Sequence, residues 1–282
     1  MQIGSVRVGN TVTAARVAGD ELVLLPLSVE ELLSTEQWDL AASDTVDGVV
    51  LERMPFDDAD WAPIVSTPSK IFCVGLNYRD HVLEMGRELP SAPTYFAKFP
   101  DALIGGRDDI VLPKQDVSTS IDWEVELCVV IGRAARHVDA ADALSYVAGY
   151  TILNDVSVRD WQRRTTQFLA GKTFEALTPV GPVLTTVDEL GDGRGLSVQT
   201  TIDGVIKQES STDQLIFGVP ELIADLSKVC TLKPGDLIAT GTPGGVGAAR
   251  QPAEWLTPGA ELVTTIEGIG ELRNTCVASD QS

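Results

Sequence analysis

A chain of 282 residues, 44% apolar and 22% charged, is long enough to bury a substantial core in one large domain, with or without a small appendage. Its 21 basic residues against 41 acidic ones leave a net charge of −20, a field that opposes sequence-independent binding to nucleic acid or an anionic membrane, where phosphate contacts need clustered Lys and Arg. No run approaches the roughly 20 apolar residues of a membrane span, and no basic-then-apolar signal opens the chain, so a cytoplasmic protein is expected.

Residues 1–65 differ in texture from the rest. Two short strand-like runs, Ser5–Val8 and Glu21–Leu25, precede an acidic helical stretch at Ser28–Asp39. The acidic, Pro-bearing segment Met54–Thr67 then has the composition of a linker. This marks 1–65 as a small N-terminal α+β domain and 66–282 as a larger main domain. After Pro68 strands dominate: Lys70–Gly75, Thr94–Lys98, Asp109–Leu112, Ile121–Ile131, Gly149–Asn154, Leu196–Ile202, Leu237–Thr240 and Glu261–Ile266. Helical patterns are fewer, at Asn77–Gly86, Ala140–Leu144, Val158–Leu169 and Val219–Val229. Without regular alternation of strand and helix, the fold class is α+β and strand-rich. Cys73, Cys128, Cys230 and Cys276 are widely spaced among apolar neighbours and read as small buried hydrophobes in a reducing compartment.

The segment with most chemical content is Asp122-Trp-Glu-Val-Glu-Leu-Cys-Val-Val-Ile-Gly132. In a strand, Trp123, Val125, Leu127, Val129 and Ile131 share an apolar face, and Asp122, Glu124 and Glu126 open the other. Like charges two residues apart repel, and in an otherwise buried strand a hard divalent cation is the natural compensation; oxygen ligands favour Mg²⁺, Mn²⁺ or Ca²⁺. The run Gly149–Asp155 delivers a third acid at a strand end. On the residues alone, Asp155 serves equally as a helix N-cap, and the two glutamates as solvent-facing groups at a sheet edge.

Other groups carry similar pairs of readings. His81 and Glu84, three apart in a helical pattern, form either a carboxylate-supported general base or a surface ion pair. Lys98 and Lys172 are single cations in apolar surroundings, fit for a substrate oxygen, for a Schiff base, or simply for snorkelling outward. Arg159 follows Asp155 by one helical turn. The loop Thr240-Gly-Thr-Pro-Gly-Gly-Val-Gly247 matches neither phosphate-binding fingerprint, and its N–H groups cradle an anion or make a tight turn.

In order along the chain, Gly75-Leu-Asn-Tyr-Arg-Asp-His-x-x-Glu84, Phe96-Ala-Lys-Phe-Pro100, Asp122-Trp-Glu-Val-Glu-Leu127, Asn154-Asp-Val-Ser-Val-Arg-Asp-Trp-Gln162, Gly171-Lys-Thr-Phe174, Thr178-Pro-Val-Gly-Pro182 and Thr240–Gly247 resemble the fumarylacetoacetate hydrolase family over about residues 68–277. The resemblance implies a mixed, roll-like β-sheet and commonly a homodimer. It assigns Glu124, Glu126 and Asp155 to Mg²⁺ or Mn²⁺, and His81 with Glu84 to the activation of water on a lid segment. It gives Lys172 to the polarisation of a substrate oxygen and Arg159, Gln162 and Thr242 to substrate holding, with Lys98 in support. The implied reaction is hydrolysis of a C–C bond in an acylpyruvate-type, fumarylpyruvate-like acid in aromatic catabolism, through a pyruvate enolate. The alternatives on the same site are an oxaloacetate-type decarboxylase and a 2-hydroxy-diene-dioate isomerase or tautomerase. A Schiff-base aldolase built on Lys172 and a non-catalytic binding protein are the rivals from other classes.

Overall fold

The computed structural model describes residues 1–84, 86 and 88–279, apart from the side chains of Asp39, His81 and Glu84. At its centre is the strand Val125–Ile131, in which all seven residues are buried. Val125, Leu127, Val129 and Ile131 enter one apolar core, while Cys128 and Val130 enter a second on the opposite face. A strand covered on both faces belongs inside a sheet. It pairs antiparallel with Val147–Asn154 on one side and with Leu237–Ala239 on the other.

The same sheet continues outward from both neighbours. Beyond Leu237–Ala239 lie Ile71–Gly75, paired parallel to it, and Thr94–Lys98 at the edge. Beyond Val147–Asn154 lies Thr178–Thr186, followed by Gln2–Val8, Thr11–Ala18, Glu21–Leu24 and Arg53–Pro55. The N-terminal strands therefore extend the central sheet, with Gln2 opposite Thr185 and Gly4 opposite Val183. A second sheet of five strands, in the order Ile110–Leu112, Gly270–Ala278, Glu261–Ile266, Ser197–Ile202 and Val205–Ser211, packs against it. The architecture is the expected strand-rich mixed sheet with few helices.

Local chemistry explains the helices that do form. Ser28 and Glu31 exchange hydrogen bonds as a capping box that opens Val29–Thr35. Val219–Val229 begins after Gly218 with Pro220 in its first turn, and buries Val219, Leu222, Ile223 and Leu226 against the core beside the central strand. Each such burial contributes about 1.5–3 kcal/mol. None of the described helices is long and apolar enough to cross a membrane. All four cysteines are free thiols, and Cys73, Cys128 and Cys276 are buried.

Several expected elements differ: the helical stretch at Ser28–Asp39 is two helices, Val29–Thr35 and Trp38–Ala41, the linker expected at Met54–Thr67 buries Trp61, Ile64 and Val65, and two further differences shape the site. The strand expected over Ile121–Ile131 is broken: Ile121–Asp122 pairs instead with Ser157–Val158, and the ladder resumes at Val125. The helix expected over Val158–Leu169 is two single turns, Arg159–Gln162 and Leu169–Lys172. Between them the Thr165 hydroxyl accepts the Gln167 N–H, a local bond that competes with helical continuation.

Candidate metal centre and cavity

The break in the strand is what builds the site. The N–H of Glu124 donates to the side-chain carbonyl of Asn154 (3.0 Å) rather than to a ladder carbonyl, and the N–H of Asp155 donates to the Glu124 carbonyl (2.8 Å). Asn154 is itself fixed by donation to Thr264 Oγ1 (2.9 Å). This crossing brings the ends of two paired strands together. Ligand oxygens of Glu124, Glu126 and Asp155 lie within 4.8 Å of one another, and all three residues are buried. Neighbouring oxygens around one Mg²⁺-sized ion stand about 3 Å apart and opposite ones about 4.2 Å, so a cluster of this size can close on a single ion by small side-chain movements. Asp155 is not a helix cap, since the following helix starts at Arg159.

The charges around the trio are unevenly compensated. Lys172 Nζ lies 2.7 Å from both Glu124 and Asp155, and Lys98 Nζ lies 2.5 Å from the other oxygen of Asp155. Arg159 reaches Glu124 at 2.6 Å through one terminal nitrogen and Asp122 at 2.7 Å through Nε. Glu126 differs: it accepts the Gly241 N–H (2.7 Å), and no basic side chain among the described residues pairs with it. Burial pushes its carboxyl well above the usual range, and Asp155 and Glu124 push in the same direction. A buried carboxylate crowded by two others and lacking a cation of its own fits a divalent ion better than it fits an empty apolar core. The oxygen-only donor set suits Mg²⁺ or Mn²⁺.

Lys172 experiences the opposite balance. Burial works against its ammonium, but Asp155 and Glu124 outweigh it and hold the group charged above its ordinary range. An amine kept protonated in two ion pairs is a poor Schiff-base nucleophile, which disfavours the aldolase rival.

The glycine-rich loop after Leu237–Ala239 cradles anions, and they are the chain's own. Gly241 donates to Glu126, and Gly247 (2.6 Å) and Ala248 (3.0 Å) donate to Asp122. Gly241 has φ +105°, a conformation that strains any residue with a side chain. Asp122, expected on one face with Glu124 and Glu126, thus turns away from the trio to join the loop to Arg159. Buried Gln208 adds a second tie, accepting the Val125 N–H and donating to Thr242 Oγ1 (2.8 Å). Neither role shows in the sequence, because the partners stand dozens of residues apart.

Gly171 sets the spacing between the two helical turns. A Cβ there would lie 2.3 Å from the Gln162 backbone nitrogen, so only glycine lets the Lys172 turn pack on the Arg159–Gln162 turn. Gly171→Ala is expected to destabilise the protein by about 1–3 kcal/mol in urea unfolding and to lower activity, since Gln162 and Lys172 shift together.

These groups meet at a cavity of about 480 Å³, whose walls include Glu124, Glu126, Arg159, Gln162, Lys172 and Thr242. Phe96 and Phe168, edge to face at 5.6 Å, supply apolar wall. Asp155 and Lys98 lie behind this surface, so Lys98 holds Asp155 and does not line the cavity. Gln162 accepts from Arg159 Nη1 (2.9 Å), which fixes both side chains. The helix Arg79–Glu84 carries His81 and Glu84, whose side chains lie outside the described residues.

Glu124 and Glu126 open onto the cavity with Asp155 just behind them, a buried carboxylate cluster that could hold a divalent metal ion, on a strand-rich mixed sheet. Residues 70–277 match the fumarylacetoacetate (FAA) hydrolase C-terminal family. The chain is 40% identical over 254 residues to the mitochondrial oxaloacetate tautomerase Fahd2a of Rattus norvegicus, covering 90% of this chain and 80% of that protein. It is 43% identical over 215 residues to the oxaloacetate tautomerase YisK of Bacillus subtilis (strain 168), covering 76% of this chain and 71% of that one. The solved fumarylacetoacetate hydrolase of psychrophilic Exiguobacterium antarcticum superposes with a TM-score of 0.87 at 31% identity, covering 99% of both chains. This chain belongs to the fumarylacetoacetate hydrolase family.

Proposed function

We propose that this protein is a Mg²⁺- or Mn²⁺-dependent enzyme that interconverts the keto and enol forms of an oxaloacetate-like 2-oxo acid. The observation that carries the reading is the convergence of Glu124, Glu126 and Asp155 with Lys172 and Arg159 at one cavity. Similarity to two oxaloacetate tautomerases supports the choice of substrate. When bound, the divalent ion supplies Lewis-acid stabilisation of negative charge on a 2-oxo oxygen.

The chain's own groups do the rest. Lys172 has three N–H donors and gives two to carboxylates, leaving one for an oxygen in the cavity. Arg159 has five and uses three, on Asp122, Glu124 and Gln162, leaving two for a substrate carboxylate. Both are held before substrate arrives, so their alignment costs little reorganisation as charge develops on the oxygen. In the keto-to-enol direction C3 loses a proton and the C2 oxygen gains one. We assign the C3 proton to His81, with Glu84 as its supporting carboxylate, on their spacing in the sequence.

The decisive assay follows the ultraviolet band of enol-oxaloacetate with and without Mn²⁺. Metal-dependent acceleration of its approach to equilibrium supports the reading, whereas release of CO₂ without that acceleration replaces it with decarboxylation. His81→Ala is expected to lower turnover by about 10²–10⁴-fold while Mn²⁺ affinity stays unchanged; full activity would remove its assignment as base. Hydrolysis of an acylpyruvate is the second reading. It is favoured by the His81–Glu84 pair on one helix, which suits activation of water, and pyruvate released from an acylpyruvate panel would establish it.

A further inference from the structure

We infer that Arg163 is the subsite for the second carboxylate of a dicarboxylic 2-oxo acid, which makes it a specificity-determining residue. The inference takes its substrate chemistry from the keto–enol reading and its position from the cavity wall. Among the described residues, three cations line the cavity: Arg159, Arg163 and Lys172. Arg159 and Lys172 are engaged with the protein's own carboxylates. Arg163 has no ion-pair or side-chain hydrogen-bond partner among the described residues, although acids outnumber bases 41 to 21 in the chain. Its neighbour Arg164 is engaged elsewhere, with its guanidinium carbon 3.5 Å from the centre of the Trp161 ring.

The backbone places Arg163 where a second carboxylate would arrive. Its N–H donates to the Arg159 carbonyl (3.1 Å), so the two arginines follow one another by a single turn. Arg159 is buried at the carboxylate floor and Arg163 is exposed at the rim. An acid whose 2-oxo and C1 carboxylate groups face Lys172 and Arg159 would send its other end toward the rim. A guanidinium there offers a planar, two-pronged match to carboxylate and offsets the repulsion a dianion meets from a −20 chain. The cavity, at about 480 Å³, exceeds the size of a four-carbon acid, so charge at the rim rather than volume discriminates between substrates.

The test compares wild type with Arg163→Gln, a change at an exposed position that keeps the backbone hydrogen bond. Binding is measured by calorimetry with Mn²⁺ present, using 3,3-difluorooxaloacetate, which cannot enolise, and its C4 methyl ester. Wild type is expected to prefer the dianion by about tenfold, the low end for a charge-assisted hydrogen bond at a partly solvated site, and Arg163→Gln to bind both alike. Arg163→Lys is expected to restore part of the preference. Equal preference in wild type and Arg163→Gln, or none in wild type, overturns the assignment. The enol-oxaloacetate assay reads out separately: failure there with the binding preference intact rejects tautomerisation and leaves the carboxylate subsite standing.

Discussion

Glu126→Gln is expected to abolish both divalent-cation binding and activity without unfolding the protein. The carboxylate is 2% exposed, and its hydrogen bond from Gly241 can be kept by the oxygen of an amide. What the substitution removes is charge. Loss of the metal's stabilisation of negative charge is worth several kcal/mol, on the order of 10³-fold or more in kcat/KM. The same charge is a burden in EDTA, because Asp155 and Glu124 repel it and burial disfavours it. Thermal unfolding therefore separates two effects. In EDTA the variant should melt at or above the wild-type Tm. Added Mn²⁺ should raise only the wild-type Tm, with a stabilisation of about 2.7 kcal/mol at a hundred times Kd. A variant that melts far below wild type in EDTA would mean that Glu126 is structural.

Lys172→Met should behave in the reverse way. It leaves Glu124 and Asp155 without the ammonium that lies 2.7 Å from each, in a residue only 2% exposed. Removing one partner from a buried ionic cluster costs about 3–5 kcal/mol, so urea unfolding in EDTA should show a large loss. Mn²⁺ should recover part of it by neutralising the same carboxylates. Turnover at saturating Mn²⁺ should fall by about 10²–10³-fold, the scale for losing a preorganised donor to a developing oxyanion. Wild-type turnover in a folded variant would contradict any role for Lys172 at the substrate oxygen.

The two variants rest on residues the sequence exposed to different degrees. Alternation of acids with Val125 and Leu127 in a run that stays apolar to Ile131 singled out Glu124 and Glu126, because charge inside a buried strand needs a reason. Asp155 was legible as an acid at a strand end, with capping as an equal alternative until the position of Arg159 removed it. Lys98 and Lys172 showed only as cations among apolar neighbours. Nothing local says that one braces Asp155 from behind while the other lines the cavity.

What escaped the sequence is mostly long-range. Asp122 shares the alternation of the glutamates, yet the strand breaks after it, and its partners Gly247 and Ala248 lie on a distant loop. The strand Thr178–Thr186 carries Pro179, Gly181 and Pro182 and is not among the strands expected from the sequence. It nevertheless lies between Gln2–Val8 and Val147–Asn154, with the register shifting between Tyr150 and Ile152. The helical pattern at Val158–Leu169 was misleading for the opposite reason: side-chain periodicity persists while Thr165 diverts the backbone. That diversion places Arg163 and Phe168 on the cavity wall. The N-terminal strands differ in composition from the rest and extend the central sheet, and composition carries no information about which sheet edge a strand joins.

The most direct test of the central claim is anomalous diffraction at the manganese edge from crystals soaked in Mn²⁺. One strong peak per chain, with oxygens of Glu124, Glu126 and Asp155 each about 2.1 Å away, is the predicted result. A peak that omits any of the three, or no peak beside them at saturating Mn²⁺, would contradict it.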